Sequence, residues 1–422
     1  MYKKIKLDNG LKIVSHRMPN MQSVALGIWL KAGGRYEFDK NQGISHFLEH
    51  LVFKGTKNYS CRKLKESIEG VGGSLNGFTS EEITCYIVKT PARHLDLALD
   101  VLSDMVINPV IPSIEVEKEK TVILEEIKMY RDQPQSYVYE LLDELMWPNQ
   151  QLGRPVIGSA ESVSSINKKD LVNYKNTHYT ASNILVTAVG LLDHDKFNKR
   201  VKRLFSHLGL KPLNTFEKAR QAQDKPQLKL YNKDTEQTHM ALGFHALKRD
   251  DHLRHALAIL HIVLGGNMSS RLFNEVREKN GLAYEIGTAI KRFSDTGAFM
   301  VHAGIDNRKV IEAVSLILKE LRRVKDRLVT DDEFMRAKEF YRGQMVLALE
   351  DTMDYMLWLG ETSVALDKEY TLNELIKEMN KVKKEDLRTA ARMIIDDKRM
   401  SLALISPLKD IKGEIYKLLK VS

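Results

Sequence analysis

The apolar positions of the chain switch repeatedly between two spacings. Residues 22–30, Gln22-Ser23-Val24-Ala25-Leu26-Gly27-Ile28-Trp29-Leu30, form a short, nearly continuous apolar run and predict a strand. A Gly33-Gly34 turn follows, and then a helix that carries residues 46–50. Lys63 to Gly70 has helical spacing, which Gly72-Gly73 breaks. Ser74 to Thr79 and Thr84 to Val88 predict strands, and Ala92 to Ile107 a helix. Ser113 is placed to cap a further helix running through Glu126. Pro134 and Pro148 bracket another helical stretch, and Ile184 to Val189 is a short strand closing at Gly190.

The segment from Lys211 to Lys229 is polar, carries Pro212 and Pro226, and has little periodicity. It predicts a linker at 213–228 between lobes at 1–212 and 229–422. Beyond it the first pattern returns. Met240-Ala241-Leu242-Gly243-Phe244-His245 echoes Val24-Ala25-Leu26-Gly27-Ile28-Trp29, and a long helix from Arg308 to Val324 follows later. This predicts an internal duplication. Strands and helices mix without a regular βαβ alternation, which favours α+β lobes, each a mainly antiparallel sheet with helices on one side. A chain of 422 residues is long enough for two cores.

Charge and cysteine usage narrow the classes. The net charge of +9 raises nucleic-acid binding, yet the basic residues are mixed with Glu and Asp along amphipathic helices, so no nucleic-acid partner is expected. No apolar run reaches the ~20 residues needed to cross a bilayer, so no membrane partner is expected either. The N-terminus, Met1-Tyr2-Lys3-Lys4-Ile5-Lys6, lacks the apolar centre of a secretion signal and reads as a first strand. Cys61 and Cys85 have no paired spacing and are expected as free thiols in a reducing cytoplasm. Gly265-Gly266-Asn267-Met268-Ser269-Ser270 has no phosphate-loop lysine, and no Gly-x-Ser-x-Gly nucleophile turn is present.

The chemistry concentrates in Gly43-Ile44-Ser45-His46-Phe47-Leu48-Glu49-His50. On a helix each residue turns the side chain by roughly 100°, so His46, Glu49 and His50 share one face. Two imidazoles on adjacent turns can hold one zinc ion, and a carboxylate beside them can take a proton from a water activated there. The spacing is His-x-x-Glu-His, the inverse of the common zinc-protease motif. A hydrolytic zinc usually has three protein ligands and an open position. Glu126, 76 residues after His50, is the candidate third ligand. Its neighbour Glu125 points elsewhere on the helix. The second half has no such motif: His255 and His261 are six apart without a paired glutamate and read as ordinary helix residues.

The run His46-Phe47-Leu48-Glu49-His50-Leu51-Val52-Phe53-Lys54-Gly55-Thr56, with Glu125-Glu126-Ile127 downstream, resembles the insulinase/pitrilysin family of zinc peptidases, and within it bacterial homologues of the mitochondrial processing peptidase. The resemblance implies two similar α+β lobes forming half of a clamshell chamber, and a zinc metalloendopeptidase with one Zn2+ per chain. It implies His46, His50 and Glu126 as ligands and Glu49 as the base. Glu119, two helical turns before Glu126, matches a supporting carboxylate that orients a ligand histidine. Ser74 to Ser80 resembles the family's edge strand, so Asn76, Gly77, Phe78 and Thr79 are expected to hold an extended peptide. In Phe273 to Tyr284, Arg277 and Tyr284 match an arginine and a tyrosine that face the zinc across the chamber and donate to the substrate carbonyl. Because one chain carries both elements, a homodimer acting on peptide substrates is the expected assembly. The alternative reading is a catalytically silent structural or partner subunit of the same fold.

Overall fold

The computed structural model describes residues 2–368 and 370–421. Among these residues eleven strands form two sheets. The first contains β1 (Tyr2–Lys6), β2 (Lys12–Arg17), β3 (Ser23–Leu30), β4 (Ser74–Thr79), β5 (Thr84–Pro91) and β6 (Ile184–Gly190) in the order β1-β2-β6-β3-β5-β4. The second contains β7 (Gln227–Asn232), β8 (Gln237–Ala246), β9 (Ala283–Arg292), β10 (Gly297–Asp306) and β11 (Met400–Ser406) in the order β7-β11-β8-β10-β9.

The two sheets repeat one design. In the first, β2 and β6 run parallel and every other neighbouring pair is antiparallel. In the second, β7 and β11 run parallel and the rest are antiparallel. Strand for strand, β2-β6-β3-β5-β4 corresponds to β7-β11-β8-β10-β9, with the same senses. The lobes are therefore two copies of one α+β plan, with β1 added at the edge of the first. The central strands β3 and β8 are buried along nearly their whole length, which is why their centres, Val24 to Leu30 and Met240 to Phe244, are continuously apolar and do not alternate. β4 is an outer strand with partial exposure throughout, and its positions alternate between exposed and half-buried.

The compact units are not contiguous in sequence. One comprises Met1–Lys128, Pro155–Glu217 and Leu347–Tyr370; the other comprises Met129–Arg154, Lys218–Val346 and Thr371–Ser422. The helix Thr352–Leu366, from late in the chain, thus packs on β3 and β6. The helix Pro134–Met146, from the first half, packs on β8 and β11. Two glycines at matching places in the repeat make room for these helices. A Cβ on Gly27 of β3 would lie 2.6 Å from Met356 Sδ, and one on Gly243 of β8 would lie 2.6 Å from Met146 Sδ. The echoed Ala-Leu-Gly of the two halves is thus a packing requirement: each sheet needs a bare backbone where a helix crosses it.

Most predicted elements appear where their periodicity places them. One differs in detail. The helix Ser113–Asp132 begins at Ser113 itself, and its first turn closes on the Pro112 carbonyl, which accepts from the Glu115 and Val116 amides at 3.0 Å. Residues 209–226 contain no helix or strand. They are nonetheless tied down: Arg35 donates to the Glu217 carbonyl at 3.0 Å, and its guanidinium lies 3.9 Å from the Phe216 ring centre. The Ala219 amide, on the other unit, donates to Asp295 at 2.8 Å.

Candidate metal centre

The helix Ile44–Val52 buries Ile44, Phe47, Leu48, Leu51 and Val52 in the core of the first unit. That packing fixes which face is left for the polar residues, and His46, Glu49 and His50 are on it. The start of the helix is set by two devices. Gly43 has φ 89°, and a Cβ there would lie 2.5 Å from the Ile157 carbonyl, so only glycine fits. The buried Glu37 carboxylate accepts from the Gly43 and Ser45 amides at 2.7 and 2.8 Å, satisfying orphan donors at the positive end of the helix dipole.

The helix Ser113–Asp132 packs against this core through Val116, Ile123 and Ile127, and it brings Glu119 and Glu126 to the two histidines. Glu126 Oε2 lies 3.9 Å from His46 Nε2 and 3.7 Å from His50 Nε2. One atom from each residue falls within 4.8 Å of the others, and this is the one such group of three among the described residues. Both separations are too long for hydrogen bonds. They are close to the spacing of metal ligands, since donors ~2.1 Å from a tetrahedral ion lie roughly 3.4 Å apart.

The protonation pattern suits a cation. Burial, and secondarily the nearby His50, hold His46 down to about 3, so its imidazole is neutral with a lone pair to give. His50 Nδ1 lies 3.1 Å from Glu119 Oε2. A carboxylate there is met by an Nδ1–H donor, which leaves the His50 Nε2 lone pair facing Glu126. The second Glu119 oxygen pairs with the Lys54 ammonium. Burial also raises the Glu126 carboxyl above its ordinary range, opposed by the charge of His50. The neutral His46 imidazole, the His50 Nε2 atom and a half-buried carboxylate converge on one point, a donor set that suits a bound cation.

Glu49 is buried and accepts a hydrogen bond from the Thr79 hydroxyl at 2.9 Å. Burial raises its carboxyl above the ordinary range, and the Thr79 bond opposes that rise. Thr79 ends β4, which pairs only with β5, so its far edge is unpaired among the described strands. Of the strand residues expected to hold a peptide, Thr79 is thus engaged with Glu49, while Asn76 Oδ1 accepts from the Gly77 amide at 2.8 Å. Phe78 meets Trp29 edge-on, with ring centres 5.9 Å apart.

Arg277 and Tyr284 belong to the second unit. The Phe273–Lys279 segment is a wide helical turn, and it aims the Arg277 guanidinium over the rings of Phe273 at 4.7 Å and Tyr284 at 5.4 Å. Tyr284 is the second residue of β9 and is 74% exposed. The structure brings these two residues to each other within their own unit. Glu125, by contrast with its neighbour Glu126, turns outward and pairs with Lys128 at 2.7 Å. Lys54 and Glu37 are supporting residues that sequence reading misses, and Thr79, expected on the substrate strand, bonds Glu49.

Residues 12–160 match the model of insulinase (peptidase family M16), and residues 165–341 match that of the peptidase M16 inactive domain. The chain is 38% identical over 408 residues to the uncharacterized zinc protease YmxG of Bacillus subtilis, covering 96% of this chain and 98% of that one. It is 36% identical over 410 residues to an uncharacterized zinc protease of Streptomyces coelicolor, covering 96% and 89%. A protease from Helicobacter pylori shares the fold, with a TM-score of 0.91 at 24% identity over 96% of this chain and 100% of that one. So does a structure from Pseudomonas fluorescens described as a peptidase M16 inactive domain, at 0.90 and 17% identity over 97% and 98%. The chain belongs to the insulinase family, peptidase family M16. Among its described residues no helix is long and apolar enough to cross a membrane.

Proposed function

We propose that the chain is a zinc-dependent endopeptidase that hydrolyses peptides or unfolded polypeptide segments, with one zinc per chain held by His46, His50 and Glu126. The observation that carries this reading is the convergence of the two Nε2 atoms on Glu126 Oε2, with Glu49 on the same helix face. When bound, the zinc supplies Lewis acidity toward a water molecule and a peptide carbonyl. Glu49 takes a proton from the water as its oxygen attacks the carbonyl carbon, and gives it to the leaving nitrogen as the C–N bond breaks. Thr79 holds that carboxylate in place, and Glu119 holds His50. The open edge of β4 offers main-chain donors and acceptors to an extended substrate, a mode that selects for unfolded segments more than for particular side chains. Arg277 and Tyr284 are donors for the carbonyl oxygen as negative charge builds on it. The family-model match of the second half to an inactive domain agrees with a metal site in the first half alone.

Metal analysis of the purified protein should return about one zinc per chain. Chelation should stop cleavage of an unfolded polypeptide, and added zinc should restore it. Cleavage that persists in metal-free protein would overturn the reading.

The proposed assembly is a homodimer that encloses the substrate in a chamber, with Arg277 and Tyr284 serving the partner's metal centre. Two inactive variants test it, one Glu49→Gln and the other Arg277→Ala with Tyr284→Phe. If sites are shared, a mixed dimer has one doubly defective site and one intact site. Free exchange at equal amounts makes half the dimers mixed, so activity should return to about a quarter of native by symmetry. No recovery after demonstrated subunit exchange would rule out sharing.

A further inference from the structure

Lys54 lies one helical turn beyond His50, in the turn that ends the helix, where its amide donates to the Leu51 carbonyl at 3.0 Å. From there its ammonium reaches Glu119 Oε1, while Glu119 Oε2 faces His50 Nδ1. The Glu119 side chain is 7% exposed and that of Lys54 is 24% exposed, so the pair sits at the boundary between core and solvent. Each carboxylate oxygen has its own partner, and this fixes the plane of the group. With one partner removed, a carboxylate can rotate about its last bond, and a buried one left without a counter-charge is driven to turn toward water or to find another cation. Either movement takes the acceptor away from His50 Nδ1. The tautomer of an imidazole follows the hydrogen bond made by its other nitrogen. The competing partner for Lys54 is Glu115, one turn before Glu119, but Glu115 already bonds Lys118 at 2.8 Å.

We propose that Lys54 is a positioning residue of the metal centre: through Glu119 it fixes the His50 tautomer that presents Nε2 toward His46 and Glu126. The inference rests on the zinc reading for its consequence and on the geometry of the chain alone for its mechanism, so the two can be tested apart.

The variants are Lys54→Met, which keeps the length and loses the charge, and Lys54→Arg, which keeps the charge. Both are made in the full chain, with Lys54→Gln in reserve if the methionine variant fails to fold. The first readout is the zinc dissociation constant from competition with a chelator. Lys54→Met should weaken binding by about 10–100-fold, the usual cost of losing a partner behind a ligand, while Lys54→Arg should stay close to native. The second readout needs no metal. Nitrogen-15 spectra of histidine-labelled, metal-free protein, with His50 assigned by its loss in His50→Gln, should show the Nδ1–H form in native protein. Lys54→Met should show a mixture of forms, and Lys54→Arg should restore the single one. Native zinc affinity together with a native tautomer in Lys54→Met would overturn the proposal while leaving the zinc reading intact. A changed tautomer in a protein whose native form takes up no zinc would uphold the role of Lys54 and overturn the zinc reading.

Discussion

Glu49→Gln is expected to keep its zinc and to cleave peptides about 10²–10⁴-fold more slowly in kcat, the range that general acid–base catalysis supplies. The substitution changes almost nothing but basicity. Glutamine has the shape of glutamate, and its amide oxygen can still accept from the Thr79 hydroxyl, which lies 2.9 Å from the native carboxylate. Glu49 is not one of the three residues whose donor atoms converge, so the ligand set stays whole. An amide cannot take a proton from water near neutral pH, whereas a carboxylate raised above its ordinary range by burial is a better base than a solvated one. Metal analysis and single-turnover cleavage of one peptide, done on the same preparation, check both halves. A variant that cleaves at near the native rate would remove Glu49 from the base role; one that loses zinc would make it part of the ligand scaffold instead.

The fold was legible where a single stretch of chain carries its own pattern. β3 and β8 are apolar runs because both faces are covered, and the helix Ile44–Val52 shows its buried stripe directly. The exchange of helices between units was not legible. Pro134–Met146 and Thr352–Leu366 are each recognisable as helices, but nothing within a helix states which sheet it will cover. The trace that does exist is the pair Gly27 and Gly243, whose missing side chains face Met356 and Met146. The run Met400–Ser406 escaped for another reason. Its apolar stretch Leu402–Ile405, flanked by Ser401 and Ser406, suits a doubly covered strand or the buried end of a helix equally well, and only its pairing with β7 and β8 decides.

The site divides along similar lines. His46, Glu49 and His50 are legible because one helix spaces them, and Glu126 because a zinc hydrolase needs a third donor. The supports come from elsewhere in the chain. Thr79 is 30 residues from Glu49, and the contact exists because β4 packs beside the helix. Glu37 reaches the helix start across a loop. Lys54 alone left a sequence signal, since it lies four residues after His50 and so continues the polar face.

The neighbouring glutamates should respond to substitution in opposite ways. Glu126→Gln replaces an anionic donor 3.7 and 3.9 Å from two imidazole nitrogens with a neutral amide. Glu125→Gln alters a carboxylate that faces solvent and Lys128. Zinc affinity in Glu126→Gln should fall by more than the ~10–100-fold that loss of a supporting partner costs, because the ligand itself is impaired. Glu125→Gln should bind zinc as native protein does, since an exposed pair of this kind is worth about 0–1 kcal/mol and touches no ligand. Thermal unfolding separates a lost ligand from a damaged fold. In chelator, Glu126→Gln should melt with the native protein, because burial already disfavours the Glu126 charge and a neutral amide costs no more there. With zinc at a hundred times the native dissociation constant, native protein should gain about 2.7 kcal/mol by binding linkage. Glu125→Gln should gain the same, and Glu126→Gln much less. An equal zinc-dependent gain in both variants would remove Glu126 from the ligand set and leave the two histidines with a third partner still to be found.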